Sequence, residues 1–394
     1  MRLTKIVNGR VITPHEILQN TTIVVKNGKI DRVFTQPIEI EEAQIIDACG
    51  NFVSPGFIDI HLHGGGSYDF MDNTIEAFQQ IAITHAQHGT TAMVPTTLTS
   101  TKGNLIKTLE TYELTTKTQY KGAGFLGVHI EGPYFAMSQR GAQDPKYIRL
   151  PDADEYNEIL NRFPFITRWS AAPELPGAVE FGKVLHKNNI IASIAHTEAL
   201  YADVIKAQEV GYSLMTHLYS GMVGVIRKEG FRYAGTVESA FLLDDMDVEV
   251  IADLKHLPVE LLQLVYKIKG SDRMALITDA MRAAGTNATT SKLGSLEDGL
   301  DVIVEDEVAK LPDRQSFAGS VATADKLLKN LVKNVGISIL EAVKMLTATP
   351  ARIMKVQNSK GKIEKSFDAD LVIFDNDFNI RSTIVNGKVV FQKR

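Results

Sequence analysis

The chain has 394 residues, with 42 Lys or Arg against 47 Asp or Glu, a formal net charge of −5, and 44% hydrophobic residues. That balance gives a globular chain with a large core, either two to three domains or one barrel of about 250 residues plus an appendage, and it excludes fibre, coiled coil and wholesale disorder. Mild acidity without a Lys/Arg-rich run argues against nucleic acid and anionic membrane surfaces as partners, and the single cysteine, Cys49, leaves any metal to the ten histidines and the carboxylates.

The sequence begins directly in strand-like residues with no apolar signal core, and no run of 18 apolar residues follows, so the expected location is the cytoplasm, away from membranes. Short strands are predicted at 4–7, 10–13, 22–26 and 29–33, with Asn8-Gly9 and Asn27-Gly28 as hairpin turns. The other end has the same pattern, with a strand over 369–374, a turn at 375–377, a strand over 382–385, Asn386-Gly387, and a strand over 388–392. Between them, apolar runs at 57–60, 92–95, 125–129, 190–194, 212–216, 248–251 and 274–278 alternate with amphipathic helical stretches. Such alternation argues for βα units on a parallel sheet. The expected architecture is α/β: a (β/α)8 TIM barrel over 55–353, with 1–54 and 354–394 pairing into a small β-sandwich.

Successive strand ends carry side chains able to bind metal: His61-Leu62-His63, Glu131 in His129-Ile130-Glu131-Gly132-Pro133, His196, His217 and Asp279. Residues i and i+2 of an extended strand share a face, so His61 and His63 can reach one ion while Leu62 packs on the wall. Each alone reads as a hydrogen-bonded polar residue. Together, at the ends where a barrel opens its catalytic face, they read as a metal site.

This ordered set resembles the amidohydrolase superfamily, metal-dependent hydrolases on a (β/α)8 barrel with a β-sandwich built from both termini. Pro55-Gly56-Phe57-Ile58-Asp59, Glu131-Gly132-Pro133-Tyr134-Phe135, Ala172-Pro173-Glu174, Thr216-His217-Leu218-Tyr219, Thr278-Asp279-Ala280-Met281 and Ala318-Gly319-Ser320 are similar to the N-acetylglucosamine-6-phosphate deacetylases, from about residue 2 to 394. The resemblance implies that Glu131, His196 and His217 hold one divalent ion and that His61, His63 and Asp279 serve a second. Zn2+ is the first expectation for these donors, with Fe2+, Mn2+ and Co2+ also suited. The implied reaction is hydrolysis of N-acetylglucosamine 6-phosphate to glucosamine 6-phosphate and acetate. Asp279 would take a proton from the attacking water and pass it to the departing amine; a helix N-cap is the bland alternative for it.

Substrate recognition departs from the family pattern. The family usually has Asn-Ala where Ser220-Gly221 precede Met222, which weakens the implied phosphate contacts of Ser220 and Gly221. Arg227 is the phosphate candidate and Arg232 its rival, with a solvated surface arginine as the alternative for both. His256, after Asp253-Leu254-Lys255 where the family has Asp-Gly, matches a histidine that reaches the phosphate of a neighbouring subunit, which implies a homodimer; otherwise it is a surface residue. Gln143, next to Ala142, stands where many members place a histidine on a sugar hydroxyl, so N-acetylgalactosamine 6-phosphate or another N-acyl compound is the alternative substrate. A cyclic amidase would carry a carboxylated lysine at Glu131, and a non-catalytic sensor barrel would have lost ligands. His85 and His88 read as structural, closing a helix where a partly charged ring is favoured. Gly64-Gly65-Gly66 reads as backbone freedom beside the site, and Tyr68 and Asp69 as candidates for covering the pocket.

Overall fold

The first Asn-Gly pair does not turn the chain. In a computed structural model, which describes residues 3–36, 38 and 43–393, Leu3–Ile12 is one continuous strand with a bulge between Ile6 and Gly9. Its first half pairs in parallel with Gln44–Asp47 and its second half with Phe52–Pro55, so Asn8 and Gly9 fall where the partner changes. Asn8 takes φ +57, and a Cβ on Gly9 would meet Val53 Cγ2 at 2.5 Å. Close approach to Val53, rather than a hairpin, is what the glycine serves. Asn27-Gly28 and Asn386-Gly387 do turn the chain, each with both residues at positive φ as a tight hairpin requires.

Both chain ends enter one eight-stranded sheet, ordered Lys388–Gln392, Ile380–Val385, Leu371–Phe374, Phe52–Pro55, Leu3–Ile12, Ile17–Lys26 and Lys29–Phe34, with Gln44–Asp47 alongside Leu3–Ile12. The seam is the antiparallel pair Phe52–Pro55 and Leu371–Phe374, with Val53 opposite Ile373. Ile6, Val11, Ile23, Val53, Leu371 and Ile384 form the buried core on this sheet.

Eight further strands run in parallel: β1 (Phe57–Leu62), β2 (Thr90–Pro95), β3 (Val128–Glu131), β4 (Ile166–Ala171), β5 (Ile191–Ile194), β6 (Tyr212–Met215), β7 (Asp247–Val250) and β8 (Met274–Leu276). β1 pairs with β2, and β3 through β8 pair in sequence. At their C-terminal ends the two groups are joined by hydrogen bonds from Thr97 N–H to the His129 carbonyl (3.0 Å) and from Asp279 N–H to the His61 carbonyl (2.9 Å). Helices follow the strands, started by caps such as Thr74 on Ala77 N–H, Thr101 on Asn104 N–H and Asp152 on Glu155 N–H. Phe78, Ile81, Leu109, Trp169, Phe181 and Leu185 belong to the largest buried apolar cluster.

The expected strand at 125–129 is broken at Gly127 (φ +104) into Gly124–Phe125 and Val128–Glu131. β4 is not legible as a strand from its residues, because Thr167, Arg168 and Ser170 interrupt the apolar ones. A three-stranded antiparallel insert, Thr290–Leu293, Leu300–Glu305 and Val308–Lys310, follows β8, and a hairpin of Ile226–Lys228 and Phe231–Tyr233 follows β6. Among the described residues no helix is long and apolar enough to cross a membrane.

Candidate metal centre and active site

Where β5, β6 and β8 give way to loops, the backbone enters the left-handed region at His196 (φ +46), His217 (φ +31) and Asp279 (φ +49). L-residues adopt that conformation at a cost, and its recurrence at three strand ends marks side chains held to a purpose. With His61, His63 and Glu131 they converge on one point. Glu131 Oε1 lies 2.9 Å from His217 Nε2, 3.5 Å from His61 Nε2 and 3.6 Å from His196 Nε2. Asp279 Oδ1 lies 3.2 Å from His63 Nε2 and 3.5 Å from His61 Nε2.

Three of the rings are anchored from behind. His63 Nδ1 donates to the Thr96 carbonyl (3.2 Å), His196 Nδ1 donates to the Gln139 carbonyl (2.8 Å), and His61 Nδ1 faces Glu249 Oε2 (3.3 Å). That leaves each Nε2 lone pair directed inward, as metal-binding imidazoles require. His61 Nε2 and His217 Nδ1 are buried without a hydrogen-bond partner, which is uncommon unless something else satisfies the atom. A donor set of imidazole nitrogens and carboxylates fits a borderline divalent cation. Two overlapping triads could hold one: His61, His63 and Asp279, and His61, Glu131 and His217. His61 is therefore common to both, whereas His196, in neither triad, reaches Glu131 Oε1 at 3.6 Å and packs edge-on against the His217 ring.

The electrostatics agree with a cation site. Burial pushes the Glu131 carboxyl up, but the ring of imidazoles around it, His61 first, then His196 and His217, outweighs burial and holds Glu131 well below the usual carboxylate range. Asp279 is likewise lowered against burial by His61 and His63. Burial opposes protonation of His63, yet its bond to Asp279 and the nearby Glu131 charge raise it to about 9, so its Nε2 holds a proton wherever no cation takes that place. Two anions kept ionised in a dry site need positive charge beside them.

A cavity of about 230 Å³ opens over this cluster and is lined by Ala142, Gln143, Ser220, Gly221 and His256, together with Leu98, Leu293, Ser316 and Phe317. Gly221 (φ +59) has no room for a side chain, since a Cβ would sit 2.6 Å from His196 Nδ1 and 2.9 Å from the Gln139 carbonyl. Gln143 donates through Nε2 to Glu131 Oε2 (2.8 Å) and accepts from the Thr99 N–H (3.0 Å) and hydroxyl (2.8 Å). Its amide thus braces the carboxylate as well as facing the cavity.

The structure also places four other groups that the sequence singles out. His256 lines the cavity of its own chain, because Asp253 caps the loop through the Lys255 and His256 N–H groups (both 2.9 Å) and holds His256 Nδ1 at 2.8 Å. Leu254 stands at φ +64 in that loop, where a glycine would be at ease. Arg227 and Arg232 are exposed and opposite each other in the hairpin, and neither is among the residues that line the cavity. Tyr68 and Asp69 pair with Gly65 and Gly64 and do not cover the pocket; Asp69 is buried and accepts the Met71 and Gly294 N–H groups. His85 is not partly charged: burial drives its ring down to about 4, and Nε2 pairs with the Gly64 carbonyl at 2.9 Å. His88 pairs with Asp325 at 3.0 Å. The polar residues under the site, Glu249 and Arg168 foremost, are not among those that the sequence singles out; their signal is charge inside otherwise apolar core strands.

Comparison with known proteins gives a consistent result. The model of the amidohydrolase family matches residues 52–390. The chain is 30% identical over 393 residues to the N-acetylglucosamine-6-phosphate deacetylase of Lysinibacillus sphaericus, a match covering 95% of this chain and 98% of that protein. The crystal structure of N-acetylglucosamine-6-phosphate deacetylase from Pasteurella multocida superposes with a TM-score of 0.92 at 29% identity, covering 99% of this chain and 100% of that one. A mutant of the Mycobacterium smegmatis deacetylase, solved in complex with N-acetyl-D-glucosamine-6-phosphate, superposes with a TM-score of 0.90 at 25% identity over the whole of both chains.

Proposed function

This chain belongs to the amidohydrolase family, and from that premise we propose that it is a metal-dependent deacetylase that converts N-acetylglucosamine 6-phosphate to glucosamine 6-phosphate and acetate. The observation that carries the proposal is the convergence of His61, His63, His196 and His217 on Glu131 and Asp279, at strand ends beneath a cavity that also contains His256. In this reading the parallel strands close as a (β/α)8 barrel over 55–353, and the eight-stranded sheet shared by 1–54 and 354–394 bends over on itself as the β-sandwich.

One or two divalent ions, Zn2+ first among Fe2+, Mn2+ and Co2+, would be held by the two triads and His196, supplying Lewis-acid polarisation of the acetamide carbonyl and an acidified water. Asp279, ionised despite burial, takes the proton of the attacking water and returns it to the amine nitrogen as the C–N bond breaks. Gln143 and Glu131 form the wall beside the reacting group. Ala142, Ser220 and Gly221 offer backbone at the sugar, and His256 faces its anionic end. A homodimer is part of the proposal: Val225, Phe231 and Tyr233 are exposed on or beside the hairpin that carries Arg227 and Arg232, apolar surface that a second subunit would cover. A cytoplasmic location is part of the proposal, since a charged sugar phosphate does not cross a bilayer and must be met in the compartment where it is made.

The test is acetate release by metal-loaded protein from N-acetylglucosamine 6-phosphate, its galactosamine epimer and unphosphorylated N-acetylglucosamine. Preference for the first supports the proposal. Preference for the epimer selects the alternative substrate, and turnover of none overturns the assignment.

A further inference from the structure

β7 contributes no donor to the metal centre, yet it carries a completely buried carboxylate aimed at one. Glu249 Oε2 lies 3.3 Å from His61 Nδ1 and accepts the His217 backbone N–H at 3.3 Å. The same oxygen takes Arg168 Nη2 at 3.0 Å, while Oε1 pairs with Arg168 Nη1. Arg168, also fully buried, donates through Nε to Ser193 Oγ (2.9 Å), through Nη2 to Thr216 Oγ1 (2.8 Å) and through Nη1 to the Ile60 carbonyl (3.3 Å). Residues of β1, β4, β5 and the end of β6 therefore fix the carboxylate in one orientation.

A carboxylate in that place selects the tautomer of His61. Nδ1 must carry the hydrogen, so the lone pair belongs to Nε2, the buried atom that has no hydrogen-bond partner and lies 3.5 Å from both Glu131 Oε1 and Asp279 Oδ1. His63 and His196 rest on backbone carbonyls for the same purpose; only His61, the ring common to both triads, rests on an anion. If Glu249 served merely to neutralise Arg168, nothing would require one of its oxygens to face the ring.

We infer that Glu249, locked by its ion pair with Arg168, is a positioning residue that fixes the His61 ring with Nε2 toward the metal. The inference rests on the metal-dependent reading above. Its test is titration of apoprotein with Zn2+ against a chromophoric chelator, with bound metal per chain and the apoprotein melting temperature measured in parallel. Glu249→Gln is expected to weaken metal binding about 10–100-fold. Because that variant leaves Arg168 buried with a neutral partner, a second variant, Arg168→Met with Glu249→Leu, removes both charges and restores an apolar interior. It is expected to melt near the wild-type temperature yet remain weak in Zn2+ binding. Wild-type affinity in Glu249→Gln, or its recovery in the double variant, would overturn the inference while leaving the metal site intact. A wild-type protein that binds no divalent ion would overturn the metal-dependent reading itself.

Discussion

Gln143 Nε2 donates to Glu131 Oε2 at 2.8 Å, and the Thr99 N–H and hydroxyl fix the orientation of the amide that does so. A residue that bears on sugar alone would change KM and spare kcat; a residue that braces a metal-binding carboxylate changes kcat or metal affinity. Gln143→Ala is therefore expected to lower kcat about tenfold or more, with a smaller change in KM. Steady-state kinetics of the metal-loaded variant check this, and an effect on KM alone would return Gln143 to a purely sugar-binding role.

Asp279 holds its proton-accepting form because His61 and His63 counter the burial that would otherwise neutralise it. Asp279→Asn keeps the shape and removes the base. Turnover is expected to fall about 10²–10⁴-fold, with metal retained by His61, Glu131 and His217. Metal content and initial rates measured on one preparation separate the two effects, and near-normal activity would remove Asp279 from proton transfer.

Much of the site can be read from residues alone because apolar strands end on its donors: Phe57–Leu62 runs into His63, Val128–Glu131 stops on Glu131, and Ile191–Ile194 is followed at once by Ala195-His196. Period and polarity announce such junctions. The contacts that give those donors their roles are another matter. Gln143 meets Thr99 across 44 positions, and Arg168 meets Glu249 across 81, so no local pattern contains either pair. β4 stays hidden for the same reason, since Arg168 makes sense in a core strand only once its distant partner is known. Asn8-Gly9 shows the converse limit: a local hairpin signal is overridden when the strand on either side pairs with a separate neighbour.

The Asp253–His256 pair gives a prediction about the anionic end of the substrate. Burial raises the Asp253 carboxyl, but the His256 hydrogen bond and charge hold it below the usual range, so it stays an acceptor for Nδ1 and leaves Nε2 for a ligand. The Phe317 ring, 4.7 Å away, closes the other side of the imidazole. A hydrogen bond to a charged group is worth about 1.5–3 kcal/mol. Asp253→Asn should accordingly raise KM for N-acetylglucosamine 6-phosphate about tenfold or more with little change in kcat, and leave the unphosphorylated sugar unaffected. Equal losses on both sugars would mean that the loop had collapsed instead.

His85 makes folding stability depend on pH through a group outside the catalytic cluster. Burial lowers its ring from 6.5 to about 4, with the Gly64 carbonyl only partly opposing, so the folded protein keeps it neutral where the unfolded chain protonates it. The unfolded state then binds more protons between those two values, and stability must rise with pH there. The contribution is present in full above the unfolded value and is lost as pH falls from about 6.5 toward 4, roughly 2 kcal/mol of it between pH 7 and pH 5. His85→Gln keeps a donor for the Gly64 carbonyl but cannot titrate. Urea unfolding at pH 7 and pH 5 should show the wild type losing about 2 kcal/mol more than this variant over the interval. An identical pH dependence in the two proteins would mean that the ring takes up its proton at the same pH in the fold as in the unfolded chain, and that burial does not hold it neutral.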